Sequence, residues 1–440
     1  MSTTPALRSD EPAPAVPARP LGPLLAGHLA FTLLHTALFA NVMWLIPMLV
    51  RLHFGAADPA TRDWQTTLVT AAIPTFMVLS IFWHEVLERV RVRTYLLSFW
   101  LVAALPLGAI GIAQTYSQLV VCHVVAIIGL AGWTPIGGKL LKDFYADAIR
   151  GRVYAVLSAV ALAGGVVAVY AVGRWLDADP EAFRTYLPIA ALVQLVGVAV
   201  LWRLAERGAD ARPSPTPRWT CAVLVRPVRQ MGAVLRGDPV FRRYEQAFMT
   251  YGAAFMLCDA LLPVLATTKL GMEYRDYAHS TQVILKLATL ALMLPMGWIL
   301  DRFGPVRTSA LAFAVLTLYP LLLAVAGGAT GVGVASVVYG IGMAGVSMGW
   351  MLGPVALAGD AARVPQYVAI HTTLVGVRGI VFQGLGMLLY RLTGSFAWPL
   401  LLAAAAFLWA AGQMWRLHRR LGRTSAPQDE GKTQQAAMGQ

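Results

Sequence analysis

Three ionisable residues stand deep inside long apolar runs of this sequence: Asp259, Lys286 and Arg378. A charge held away from water is costly, so such a residue faces a cavity or a partner. Asp259 precedes the loop residue Lys269 by about 15 Å of helix, and Lys286 follows Ala278 by about 12 Å, at about 1.5 Å per residue. If the two runs are consecutive antiparallel helices, these side chains reach similar depths and are predicted to meet as an ion pair. Protonating Asp259 would break the pair, which is one way to couple a proton to movement; the alternative is a static pair that fixes helix register. Arg378 lies about 18 Å into its run, flanked by Gly376 and Gly379. Its guanidinium can grip a carboxylate or phosphate with two parallel hydrogen bonds, or can bond backbone carbonyls where helices break. His28 and His35 are spaced to share one helix face. With His371 and His123 they can relay protons near neutral pH, or serve as hydrogen-bonded packing residues. Trp133 and Trp350 are candidates to line a cavity, although most aromatics here sit near run ends, as interface belts do. His84 and Glu85 read as interfacial.

The elements that must position these groups are legible from composition. Of 440 residues, 58% are hydrophobic and only 13% charged, where a soluble chain carries about 25%. Mean hydropathy is +0.62. This is the composition of a membrane protein. About 20 apolar residues span about 30 Å of hydrocarbon. Twelve segments satisfy this, near 22–50, 65–87, 94–114, 117–138, 153–175, 184–205, 242–268, 279–300, 306–327, 331–355, 367–390 and 394–415, here spans 1 to 12. All are predicted helical, because a lone strand leaves backbone groups unpaired in lipid. The fold class is therefore all-α and integral to a membrane.

The formal charge of +13 follows from orientation. Basic residues concentrate in one set of loops: Arg89, Arg91 and Arg93; Lys139, Lys142, Arg150 and Arg152; Arg302 and Arg307; the stretch from Arg203 to Arg243; and Arg416 to Arg423. The opposite set holds only Arg51, Arg62, Arg174, Arg184, Lys269, Arg275 and Arg391. Both termini are accordingly expected in the cytosol, and the chain in an inner (plasma) membrane. No nucleic-acid-binding pattern is present.

The spans divide six and six. Residues 1–20 read as a disordered tail, 21–205 as one bundle, 206–240 as a cytosolic linker, 241–418 as a second bundle and 419–440 as another tail. The linker holds a Pro- and Arg-rich part, then an amphipathic segment from Val228 to Arg236, expected on the membrane surface. The halves echo one another. Leu45-Ile46-Pro47 closes span 1 as Leu261-Leu262-Pro263 closes span 7. Glu88-Arg89 and Asp301-Arg302 follow spans 2 and 8, and Gly132-Trp133 and Gly349-Trp350 mark spans 4 and 10. A parallel six-plus-six repeat suits transporters that rock two bundles around a midplane site. Gly345, Gly349 and Gly353 have small-xxx-small spacing and are expected to pack tightly on a neighbouring helix.

The loop after span 8 reads Gly297-Trp298-Ile299-Leu300-Asp301-Arg302-Phe303-Gly304-Pro305-Val306-Arg307. It resembles the G-x-x-x-D-R-x-G-x-[KR] loop signature of the major facilitator superfamily, with the last basic residue one place late. The first-half copy departs further: Glu88-Arg89 replaces Asp-Arg, and Arg91 stands where Gly is expected. The stretches from Val234 to Glu245 and from Tyr367 to Gly379 resemble a bacterial branch of that superfamily, of mostly unassigned function. The resemblance implies two six-helix bundles and transport by alternating access. It implies a conformational loop built on Gly297, Asp301, Arg302, Gly304 and Arg307, with Glu88 and Arg89 in the first half. Asp301 would sit against the positive end of the span 11 helix and hold the cytosolic gate closed. Arg302 and Arg307 would meet carboxylates or lipid phosphates.

No P-loop, metalloprotease or nucleophile-elbow motif occurs. Cys122, Cys221 and Cys258 have no metal or redox spacing. The sequence thus predicts no catalytic residues, no metal and no cofactor. It points to a proton-coupled secondary transporter, monomeric, whose partners are lipid, protons and a small solute. Arg378 and His371 with Trp133 and Trp350 are its binding or gating candidates; Asp259, Lys286, His28 and His35 are its proton-coupling candidates. The competing reading is a non-transporting assembly factor or receptor on the same scaffold.

Overall fold

The computed structural model describes residues 21–145, 147–206, 222–358 and 363–425. Among these residues every regular element is helical. Eleven helices are long and apolar enough to cross a membrane: Leu21–Phe54, Val92–Ile112, Tyr116–Leu141, Arg152–Ala178, Phe183–Ala205, Pro239–Lys269, Tyr274–Leu300, Arg302–Val325, Ala329–Leu357, Ile370–Thr393 and Ala397–Gly422. A further helical run, Pro59–Phe76 continued through Met77–Leu79 into Ser80–Arg89, occupies the place of span 2. It is the most hydroxyl-rich of the spans. Thr66, Thr67 and Thr70 return their hydroxyls to carbonyls one turn back, which satisfies them inside the helix.

The helix ends follow local chemistry. Asp58 caps span 2 by accepting from the Thr61 amide, with Pro59 at the first helical position. Thr115 and Gln118 form a reciprocal capping box at span 4. Asp238 accepts from the amides of Val240 and Phe241 at span 7, again followed by Pro. Spans 8 and 9 run on through Asp301 to Pro305, and the break between them is Gly304, at φ 74° and ψ 168°. Only glycine adopts that backbone without strain, so the signature glycine is the turn itself.

The halves meet along two seams, span 2 against span 11 and span 5 against span 8. Span 11 lies almost on the backbone of span 2: a Cβ on Gly379 would come within 2.9 Å of the Thr75 nitrogen, and one on Gly376 within 2.8 Å of Val78. The stripe in span 10 packs as its spacing predicts. Gly345 faces Ala312 and Gly349 faces Ser309, both in span 9, and Gly353 receives the Tyr244 hydroxyl. The Gly-Trp echo also has a structural counterpart. Tyr95 donates to the Gly132 carbonyl at 2.7 Å in one half, and Tyr244 to the Gly349 carbonyl at 2.7 Å in the other.

Two boundaries differ from expectation. The last helix runs to Ser425, so residues 419–425 extend span 12 instead of opening a tail. The linker helix covers Ala222–Gly237 and does not rest on lipid alone. Met231, Val234 and Leu235 pack against a buried cluster of Phe241, Tyr367 and Ile370 at the N-terminal ends of spans 7 and 11. The two tails, residues 1–20 and 426–440, and residues 207–221 of the linker lie outside the described residues.

Candidate functional site

Spans 7 and 11 each carry polar side chains on one stripe, and the two stripes face each other. From the N-terminal ends of the two helices, the Tyr367 hydroxyl donates to Asp238 at 2.8 Å and its ring lies 4.3 Å from that of Phe241. Next, Nδ1 of His371 lies 2.9 Å from both carboxylate oxygens of Glu245. Seven residues beyond His371, Arg378 Nη1 donates to the Phe248 carbonyl at 2.5 Å. The Gln383 amide then donates to Asp259 at 3.1 Å and approaches the Met256 sulfur at 3.4 Å. Above that, Gly386 meets the Leu257 backbone. The result is a polar ladder through an apolar helix pair.

Arg378 is held within this ladder. A Cβ on Gly252 would lie 1.9 Å from its Cζ, so the guanidinium passes through space that only glycine leaves. Its Cζ also sits 5.8 Å from the Tyr251 ring centroid. A backbone carbonyl is thus one partner of this guanidinium. Its Nε is buried and has no hydrogen-bond partner. His371 is likewise enclosed, with Trp350 edge-on at 5.3 Å and Phe248 at 4.9 Å, and its Nε2 is unpartnered.

The predicted pair of Asp259 with Lys286 does not form. Asp259 turns toward span 11 and Gln383. The Lys286 amine donates at 3.0 Å to Gln282, one turn back on its own helix. The Lys286 stem crosses the span 5/span 8 seam: a Cβ on Gly165 would lie 3.2 Å from its Cε and 3.6 Å from Ala40 of span 1. The two side chains turn to different partners, one across to span 11 and one along its own helix.

In the first half, His35 lies among aromatic rings. It stacks on Trp133 at 4.7 Å and on Phe39 at 4.4 Å, with Phe31 at 5.2 Å, and its Nδ1 is 3.3 Å from the Gln194 amide. His28 stacks on Tyr145 and its Nδ1 is 3.2 Å from that hydroxyl. Both histidines thus face the span 4 side, as their spacing implies. His123 Nε2 is 2.9 Å from the Val69 carbonyl, a packing contact.

The loop signature presents cation–ring contacts. Arg302 lies 5.3 Å from the Trp298 ring, and Arg307 lies 4.2 Å from Phe303 and 5.9 Å from Trp415. The side chains of Asp301 and Glu88, and of His84 and Glu85, lie outside the described residues, as does residue Cys221. Arg89 belongs to the same first-half loop.

Two sets of residues carry more than the sequence suggested. Glu245 was passed over as part of a basic helix start, Arg242-Arg243-Tyr244-Glu245. Its signal is periodicity: Asp238, Glu245 and Asp259 fall on one face at multiples of seven. Arg51 and Arg391 counted only as loop charges, yet they close one face of the protein. On that face, called the outer face after the orientation expected from the loop charges, Arg51 bonds Asp63 at 2.6 Å, Thr267 at 2.8 Å and Thr268 at 2.6 Å. Arg391 reaches the other Asp63 oxygen at 3.3 Å. Spans 1 and 2 are thereby tied to spans 7 and 11. Nearby, Asp177 of span 5 accepts from the Arg275 amide at 2.9 Å. Among the described residues no group of three or more His, Cys, Asp or Glu is arranged to hold a metal.

A family model described as the Major Facilitator Superfamily matches residues 28–382. Among solved structures, the chain is similar to a POT family transporter in complex with 5-aminolevulinic acid, at TM-score 0.69 and 13% identity over 92% of this chain and 96% of that one. It is also similar to a POT family transporter in complex with a thioalcohol-conjugated peptide, at TM-score 0.66 and 12% identity over 92% and 96%. No curated protein matches.

Proposed function

The chain belongs to the major facilitator superfamily, and from that premise we propose that this membrane transporter moves a small solute by alternating access, coupled to protons through Asp259. The reading is supported most by one observation: Asp259 is a mid-span carboxyl whose hydrogen-bond partner is an amide, not a cation. Such a group can gain or lose a proton without dissolving an ion pair. Intramembrane carboxyls of this kind mark proton pathways and substrate routes.

In this account the ladder between spans 7 and 11 is the moving part. Asp259 is its proton-exchanging rung, while Glu245, His371 and Arg378 keep the two helices in register. In this reading Lys286, whose stem crosses the span 5/span 8 seam, and the ring cluster of His35 and Trp133 are the solute-facing groups. A cation and an aromatic cluster suit a solute with a carboxylate and an apolar part. That chemistry agrees with what the two similar transporters are described as holding, 5-aminolevulinic acid and a peptide conjugate. Closure of the outer face by Arg51, Asp63 and Arg391 describes one of the two end states. The transporter is assigned to a plasma membrane with both termini cytosolic, as bundles 21–205 and 241–418 joined by the linker.

The test is proton flux in proteoliposomes. Amphipathic carboxylates are added to one side and internal pH is followed. Solute-driven acidification in the wild type, absent in Asp259→Asn, supports coupling through this carboxyl. Equal acidification in both removes Asp259 from the mechanism.

A further inference from the structure

The outer seam holds a second polar site that the ladder does not use. A cavity of about 270 Å³ is lined by Arg51, Arg62 and Asp63 from the first half and by Thr267, Thr268, Tyr390 and Arg391 from the second. Its guanidinium groups are unevenly satisfied. Arg51 places three nitrogens on Asp63, Thr267 and Thr268. Asp63 accepts from Arg51 with one oxygen and from Arg391 with the other, so neither oxygen is left over. Arg391 makes that single bond of 3.3 Å. Arg62 makes none, and its Nε is buried without a partner.

Arg62 is nevertheless held in place. Its stem lies against Gly55, where a Cβ would come 2.7 Å from its Cγ. Asp58, four residues before Arg62, is engaged at the helix cap with the amide and hydroxyl of Thr61. Three guanidinium groups thus share one cavity with a single carboxylate. A surplus of positive charge remains even when Asp58 is counted.

We infer that this cavity binds a small oxyanion between Arg62 and Arg391. Guanidinium pairs recognise carboxylate, phosphate and sulfate through parallel charge-assisted hydrogen bonds. Because Arg62 belongs to the first half and Arg391 to the second, a bound anion links the halves at the outer face. External anion would then favour the state in which that face is closed, by the mass action that follows from binding one state better than the other. This holds whether or not Asp259 carries protons.

The test uses the purified full-length protein in detergent. Its melting midpoint is recorded against sodium sulfate, sodium phosphate and sodium acetate, each compared with sodium chloride at equal ionic strength. The wild type is expected to gain about 2 °C or more at saturating oxyanion. That increment is expected to vanish in Arg62→Gln and in Arg391→Gln. Arg62→Gln removes no hydrogen bond within the protein, so its own midpoint should stay close to the wild type. Rises confined to sulfate and phosphate assign an inorganic oxyanion, and a rise with acetate assigns a carboxylate. Equal rises in the wild type and Arg62→Gln reflect general salting-out and overturn the site. An increment lost in Arg62→Gln but kept in Arg391→Gln overturns the bridge between halves.

Discussion

Both carboxylate oxygens of Glu245 lie 2.9 Å from Nδ1 of His371, and both side chains are almost wholly removed from solvent. Leaving one partner of a buried hydrogen bond unsatisfied typically costs about 1–3 kcal/mol. Glu245→Gln, which weakens the bond to His371, is therefore expected to destabilise the protein by about 1–3 kcal/mol. The double variant Glu245→Gln/His371→Asn should recover part of that loss. Thermal or denaturant unfolding of the single and double variants measures the coupling.

Gly252 and Arg378 form a matched pair of a different kind. Gly252→Ala puts a methyl where the guanidinium passes, and overpacking of this sort costs about 1–3 kcal/mol or more. Gly252→Ala/Arg378→Leu is expected to be more stable than Gly252→Ala alone. If the single variant melts with the wild type, Arg378 does not occupy that path.

Asp259→Asn preserves a side chain that can accept from Gln383, so folding and solute exchange should survive. Accumulation against a gradient should be lost. Counterflow and uphill uptake, measured on the same vesicles, separate the two. Loss of both would place Asp259 in solute binding, not in coupling.

Asp63 is the hub of the outer network, and Arg51 beside it is only 7% exposed. Asp63→Asn keeps one acceptor oxygen for Arg51 but removes the negative charge and the second oxygen that Arg391 reaches. Spin labels at Ala57 and Glu273, on opposite halves of the outer face, should report a population of longer distances. Arg51→Lys should fall between, because an ammonium cannot serve three fixed partners as a guanidinium fork does.

At the outer end of span 2, hydrogen bonds from the hydroxyl and amide of Thr61 hold the Asp58 carboxyl below the usual carboxylate range. A depressed folded-state value gives stabilisation that is present above the unfolded value and is lost as pH falls through the folded one. The Asp58 cap should therefore be indifferent to pH between 5 and 8. Any midpoint change in that window should persist in Asp58→Asn.

Much of the architecture was readable because a bilayer demands long apolar runs, which leave a plain mark in sequence. Span positions, the central linker and the turn at Gly304 all follow from that demand. Side-chain direction does not. Asp259 turns to Gln383 and Lys286 to Gln282, directions that depth along the helix does not contain. The true partner of Asp259, Gln383, is neutral and drew no attention. Arg51 and Arg391 sit at run ends, where positive charge is expected for orientation, and this masked their roles around Asp63. The face shared by Glu245 and Asp259 is marked by a fourteen-residue spacing, hidden by the basic residues before Glu245.

The most direct measurement is the distance between spin labels at Ala57 and Glu273 as pH is varied from 5 to 8, with the native cysteines replaced by Ser. The wild type should redistribute between shorter and longer distances as pH changes, and Asp259→Asn should show one distribution throughout. A wild type that ignores pH, or an Asp259→Asn variant that redistributes as the wild type does, would contradict coupling through this carboxyl.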